Sequence, residues 1–241
     1  MLRRARALVV ASEMWTLLCL ALIPPTIVEN SCKFKKHGMV RDRQLQTWGG
    51  NVTQSREAYY ERQHLIPEPL QEWFDEWLDD VGHTMLAFIL GLVDGEVTKI
   101  YFYDSATGYH HGKELGHGSE RRYDPVNYNE YDMVPELFIE HFGDTDGEGR
   151  VRYEVLPDGS EYRQAFHLTL QRTELRVRDK RRQLYQILKA RGCDTQAFER
   201  WYRDHSGDRL TCLGFETESE AVTVYHTNDS YYEEDGECED Q

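Results

Sequence analysis

The sequence predicts an α+β fold in which an antiparallel sheet carries helices packed on one face. Three observations predict it. Apolar residues recur at helical spacing from Leu70 to Leu78, around Leu184, Ile187 and Leu188, and at Phe198, Trp201 and Tyr202. β-branched and aromatic runs flank the dipeptides Asp94-Gly95 and Asp158-Gly159, which favour tight hairpin turns. Strands and helices come in blocks, the order expected when both pack on one sheet.

The elements follow in order. Residues 1–28 combine Arg3, Arg4 and Arg6 with an uncharged run from Met14 to Val28, the anatomy of a signal peptide or signal anchor. Either outcome predicts a secreted or extracellular/luminal chain, attached to a membrane only if residues 1–28 remain as an anchor. Residues 29–215 form the predicted extracellular α+β domain. Within it, residues 33–64 are polar, with a turn at Trp48-Gly49-Gly50. Pro67 and Pro69 then introduce an amphipathic helix whose Leu70, Trp73, Phe74, Trp77 and Leu78 share one face. Met85 to Val93 and Thr98 to Tyr103 read as paired strands. Residues 104–132 read as a long irregular segment rich in Gly, His, Tyr and Asn, and Met133 to Phe142 as a short helix. Arg150 to Leu156 and Tyr162 to Leu170 form a second strand pair, followed by helices on either side of Gly192-Cys193. Residues 216–241 hold ten acidic residues and no Lys or Arg, and read as an acidic C-terminal tail in which only Val222, Val224 and Tyr225 suit a strand.

The whole chain of 241 residues carries 28 Lys+Arg against 43 Asp+Glu, a formal net charge of -15. That field repels nucleic acid, whose recognition needs a positive footprint, so no nucleic-acid partner is expected. Residues 172–191 are the basic exception, with eight Lys/Arg and two acidic residues, and suit a positive helix face. Outside the first 28 residues the cysteines are Cys32, Cys193, Cys212 and Cys238, an even number that in an oxidising compartment predicts two disulfides with three possible pairings. Asn51 and Asn228 begin N-glycosylation tripeptides.

Candidate chemistry is sparse. Glu114 and His117 have the spacing of the last two positions of HExxH, but Lys113 stands where the first histidine belongs, and an ammonium has no lone pair for a metal. His110, His111, Glu114 and His117 could still make a loop cluster, the basis of an alternative reading as a secreted metal-dependent hydrolase. No phosphate loop, nucleophile elbow or dinucleotide fingerprint is present. With no complete catalytic motif, the chain is read as not an enzyme, with no cofactor and no catalytic or metal residues assigned.

Particular stretches resemble the platform of major histocompatibility class I-like proteins. Phe88 to Asp94 followed by Tyr101 to Ser105, and Val151 to Leu170 with its Asp158-Gly159 turn, are similar to floor strands. Gly192-Cys193 followed by Phe198, Glu199, Arg200, Trp201 and Tyr202 is similar to the kinked second helix. The likeness spans residues 82–206. In that family the helix cysteine bridges to a floor strand; here no cysteine lies between Cys32 and Cys193, so Cys193 needs a different partner. The signal, the glycosylation tripeptides, the even cysteines and the missing catalytic motif predict a secreted, disulfide-bonded glycoprotein that binds an extracellular or cell-surface protein; the resemblance implies that it does so as an immune-receptor ligand, decoy or evasion factor.

Overall fold

The computed structural model describes residues 25, 27–127, 148–170 and 175–228. The chain forms strands β1 (Ile27–Phe34), β2 (Met39–Gly49), β3 (Met85–Val93), β4 (Glu96–Asp104), β5 (Tyr109–Glu114), β6 (Glu120–Asn127), β7 (Glu148–Val155), β8 (Glu161–Thr169), β9 (Arg209–Glu216) and β10 (Val222–Thr227). Each pairs antiparallel with its neighbour in sequence, and β1 closes the sheet by pairing with β10, Cys32 opposite Val224. The product is a closed up-and-down barrel.

Helices α1 (Val52–Arg62) and α2 (Glu68–Val81) join β2 to β3, and α3 (Arg181–Ala190) and α4 (Thr195–His205) join β8 to β9. Antiparallel order therefore places both helix pairs at one end of the barrel. The connections 35–38, 94–95, 115–119, 156–160 and 217–221 gather at the other end. Asp94 and Gly95 both take positive φ, 52° and 84°, as a two-residue turn matched to the twist of β3 and β4 requires.

Two apolar clusters hold the described residues together, and both lie outside the barrel wall. Leu70, Trp73 and Phe74 of α2 and Ala58 and Tyr59 of α1 pack on Trp48, Phe88, Leu90, Ile100 and Phe102. Leu184, Ile187, Phe198 and Trp201 pack on Phe34, Val151, Phe166, Leu168, Leu213, Val222 and Val224. Strand residues alternate between faces. Phe102 thus faces a helix while Tyr101 and Tyr103 face the lumen.

This architecture corrects several expectations. There is no open sheet with helices on one face and no class I-like platform, because the sheet curls until β10 meets β1 and the helices lie around its outside. Residues 109–114 and 120–127, expected to be irregular, are strands. In β6 both faces are polar, with Arg121 and Tyr123 inward and Arg122 and Asp124 outward, so apolar alternation is absent. The first β-strand begins at Ile27, inside the stretch assigned to a signal, whereas β10 falls where Val222, Val224 and Tyr225 were expected to suit a strand. The expected helix at 133–142, residues 1–24 and residues 229–241 lie outside the described residues. Among those described, no helix is long and apolar enough to cross a membrane.

Candidate functional site

The barrel lumen holds a cavity of about 700 Å³, within the range of small-molecule sites. Its walls differ in character. Ile27, Leu45, Ala87 and Ile89 of β1 to β3 make an apolar flank. Facing it, β4 to β8 and β10 present Lys99, Arg121, Arg150 and Arg152 together with Tyr101, Tyr103, Tyr123 and Tyr225. The tyrosine rings are mutually braced: Tyr101 meets Tyr123 edge-on at 6.0 Å, and His167 sits between Tyr123 at 5.5 Å and Tyr225 at 5.7 Å. Gly112 makes room for this wall, since a Cβ there would lie 2.1 Å from Cδ1 of Tyr101.

Toward the hairpin end, two half-buried carboxylates gather the cations. Glu114 forms ion pairs with Lys99 Nζ at 2.9 Å and with Arg121. Glu216 accepts from Lys33 Nζ at 2.6 Å and from Arg152 at 2.8 Å. Burial opposes ionisation of Glu216, but Arg152 and Lys33 outweigh it and hold the carboxyl below its usual range. Among the described residues, Lys33, Lys99, Arg121, Arg150 and Arg152 stand against the carboxylates Glu114 and Glu216 on the inward side of the wall. An acidic chain has folded a cationic interior.

Toward the helix end lies Glu29, which accepts a hydrogen bond from the Thr211 hydroxyl. Burial raises its carboxyl from the usual 4.5 to about 7, against the lowering effect of that bond. His110 and His167 are each lowered from 6.5 to about 3, first by burial and then by Arg150 and Arg152 respectively. Burial likewise pushes the Tyr123 hydroxyl up to about 12 and the Cys212 thiol well above its usual range. The lumen thus offers fixed guanidinium charge, aromatic faces, neutral imidazoles, and a carboxylate that takes and gives a proton near neutrality.

These shifts act on stability with opposite signs. Glu29 keeps its proton to about pH 7 when folded and only to 4.5 when unfolded, so its contribution is complete below 4.5 and is lost as pH rises toward 7. His110 and His167 stay neutral down to about pH 3 when folded, so their contribution is complete above 6.5 and is lost as pH falls toward 3. Between 4.5 and 6.5 two groups outweigh one. Replacing Glu29→Gln is expected to steepen the rise in stability over that window and to abolish the decline from 6.5 to 7. Urea midpoints measured from roughly pH 4 to pH 8 read both effects; identical profiles for variant and wild type would show that Glu29 is not held protonated.

The structure separates the histidine cluster. On β5, alternation turns His110 inward against Tyr103 at 4.9 Å and His111 outward, stacked on Phe102 at 5.0 Å and beside Trp77 at 4.6 Å. Glu114 is engaged by Lys99 and Arg121, and the exposed His117 stands 4.0 Å from it in the following turn. These four do not assemble a metal centre, and the alternative hydrolase reading is corrected accordingly. No disulfide joins Cys32, Cys193 or Cys212 to another described residue: the first two lie in the outer cluster beside α3 and α4 and Cys212 on the lumen wall. Cys238 lies outside the described residues. Asn51 caps α1, its side-chain oxygen accepting from Gln54 N at 2.9 Å, and Asn228 is exposed after β10. Part of the basic stretch is engaged internally, with Arg181 on Glu199 at 2.8 Å and Arg191 on the carbonyls of Glu216 and Ser219.

Sequence reasoning missed Glu29 and the lumen's arginines and tyrosines. The available signal was the alternation of Lys99, Tyr101 and Tyr103 with Ile100 and Phe102, and of Arg150 and Arg152 with Val151 and Tyr153. In an open sheet that polar face would point to solvent.

No family model and no curated protein matches the sequence. Among solved structures, the fold is similar to that of 6-dimethylallyltryptophan synthase from Micromonospora olivasterospora, crystallised in complex with DMASPP and Trp. The TM-score is 0.54 and the identity 13%, over 85% of this chain and 82% of that one. The reading as a non-enzymatic immune ligand is thereby corrected. The platform it rested on is absent, and the sheet is instead a closed barrel whose fold is similar to that of the synthase.

Proposed function

We propose that the barrel is an enzyme that binds an allylic diphosphate and an aromatic acceptor in its lumen and joins them. One observation carries this reading: a cavity of about 700 Å³ that sets Arg121, Arg150, Arg152 and Lys99 beside four tyrosines and opposite an apolar flank. A diphosphate needs fixed guanidinium and ammonium donors. An allyl chain needs apolar wall, and the cation it becomes is stabilised by the faces of aromatic rings. The 6-dimethylallyltryptophan synthase of similar fold was crystallised with DMASPP and Trp.

The chemistry balances on these residues. The allylic carbon–oxygen bond breaks, and the electron pair leaves with diphosphate toward the arginines, which stabilise the charge as it develops. Tyr101, Tyr103, Tyr123 and Tyr225 surround the allylic cation until a ring carbon of the acceptor forms the new bond. The proton displaced from that carbon passes to ionised Glu29, whose pKa near 7 suits a general base at neutral pH.

The test is calorimetric titration with dimethylallyl diphosphate, inorganic pyrophosphate and dimethylallyl alcohol, followed by mass spectrometry after addition of indole-type acceptors. Both diphosphates are expected to bind and the alcohol not. Arg150→Ala should weaken diphosphate binding by about 10- to 100-fold, the value of one to two charge-assisted hydrogen bonds. Folded protein that binds neither diphosphate would overturn the reading; binding without any prenylated product would reduce it to a binding barrel.

A further inference from the structure

On the outside of the wall, at the helix end of the barrel, two imidazoles converge on one carboxylate oxygen. His205 ends α4, Asp208 lies in the connection to β9, and His226 belongs to β10. Nδ1 of His205 stands 2.9 Å and Nδ1 of His226 2.7 Å from the same atom, Oδ2 of Asp208. The three donor atoms lie within 4.8 Å of one another. Trp201 fixes both rings, stacked on His205 and edge-on to His226, each at 5.2 Å. His226 is wholly buried, whereas the side chains of His205 and Asp208 are 29% and 15% exposed, so one side of the cluster is open to solvent.

We propose that His205, Asp208 and His226 form a site for a divalent cation of the zinc class. Two neutral imidazoles and one carboxylate are a donor set zinc accepts, with a remaining position for water. A hydrogen-bonded triad has no need to place both rings on one oxygen, because Asp208 has a second oxygen to offer. Here both nitrogens address Oδ2, so the lone pairs of a deprotonated set point into one shared space. Zinc at about 2.0–2.1 Å from each donor sets neighbouring donors roughly 3.3 Å apart, so small side-chain rotations open the cluster to receive it. The geometry also gives the ion a task. It would tie the end of α4, the connection carrying Asp208 and the closing strand β10 at one point. The same connection already holds the 3₁₀ turn Val177–Lys180 through Val177 N to Asp208 O at 3.0 Å. The site does not depend on the lumen chemistry and stands or falls apart from it.

The experiment uses tag-free full chain, stripped with chelator and titrated with zinc by calorimetry, with metal content measured after gel filtration. One zinc per chain is expected, with a rise in the thermal midpoint. His205→Gln, a change on the solvent-facing side of the cluster, and Asp208→Asn should weaken binding at least 100-fold while the far-ultraviolet dichroism stays unchanged. X-ray absorption of the zinc-loaded wild type needs no variant and should show two imidazoles with oxygen donors and no sulfur. Folded wild type that binds no zinc, binding that survives in both folded variants, or sulfur in the coordination shell would each overturn the proposal.

Discussion

Glu216→Ala is expected to lower the thermal midpoint by about 10 °C, because breaking a buried ion pair costs about 3–5 kcal/mol and each kcal/mol shifts a domain of this size by about 2–4 °C. Glu216 is the shared acceptor of Lys33 and Arg152, and its side chain is 14% exposed. Removing it leaves two cations facing each other across the hairpin end of the lumen, with Arg121 close enough to add its repulsion to Arg152. Glu216→Gln keeps an acceptor and should lose less. A triple replacement, Glu216→Leu with Lys33→Met and Arg152→Leu, should recover much of the loss, since apolar residues of similar volume can replace a buried network. Thermal melts followed by circular dichroism compare the three. If Glu216→Ala melts with the wild type, water reaches this network freely and the hairpin end of the lumen is open.

Trp201→Ala should destabilise the fold by about 3–5 kcal/mol, the range for emptying a buried aromatic site. Trp201 is 1% exposed and lies edge-on to Phe34 of β1 at 5.5 Å and beside Phe198 at 5.9 Å. Its buried indole nitrogen has no hydrogen-bond partner among the described residues, so the loss is one of packing. Trp201→Phe should retain more than half of the stability lost by alanine. Urea unfolding measures both. An alanine variant within about 1 kcal/mol of wild type would mean that α4 does not contribute a core to the barrel wall.

How far the fold could be read from sequence depends on which face of each strand was apolar. Met85 to Val93 and Ile100 with Phe102 announced β3 and β4 because their outward side chains meet α1 and α2. Helices α2, α3 and α4 were visible for the same reason, each with one apolar stripe on the wall. Strands β1, β2 and β9 carried no strand assignment, and neither did β5 and β6, which have polar residues on both faces, with Pro125 within β6. Their membership of a sheet is decided by neighbours far along the chain. Closure itself, Cys32 against Val224, joins residues 192 positions apart and leaves no local mark.

The site was less legible still. Arg150, Arg152 and Tyr123 look like the solvated side of ordinary strands until the sheet curls and makes that side an interior. Glu29 stood within a residue of the expected signal boundary and drew no attention. The histidines that did draw attention were adjacent in sequence, and on a strand adjacency places two side chains on opposite faces.

The placement of both apolar clusters outside the wall has a consequence for how such a chain can change over time. Along β3, β4 and β7, one set of alternate residues answers to the helices and the other to the lumen. Substitutions at Tyr101, Tyr103 or Arg150 can alter what the cavity accepts without disturbing Ile100, Phe102 or Val151. The barrel is in this sense inherited as two interleaved sequences, one free to drift toward new ligands while the other preserves the architecture.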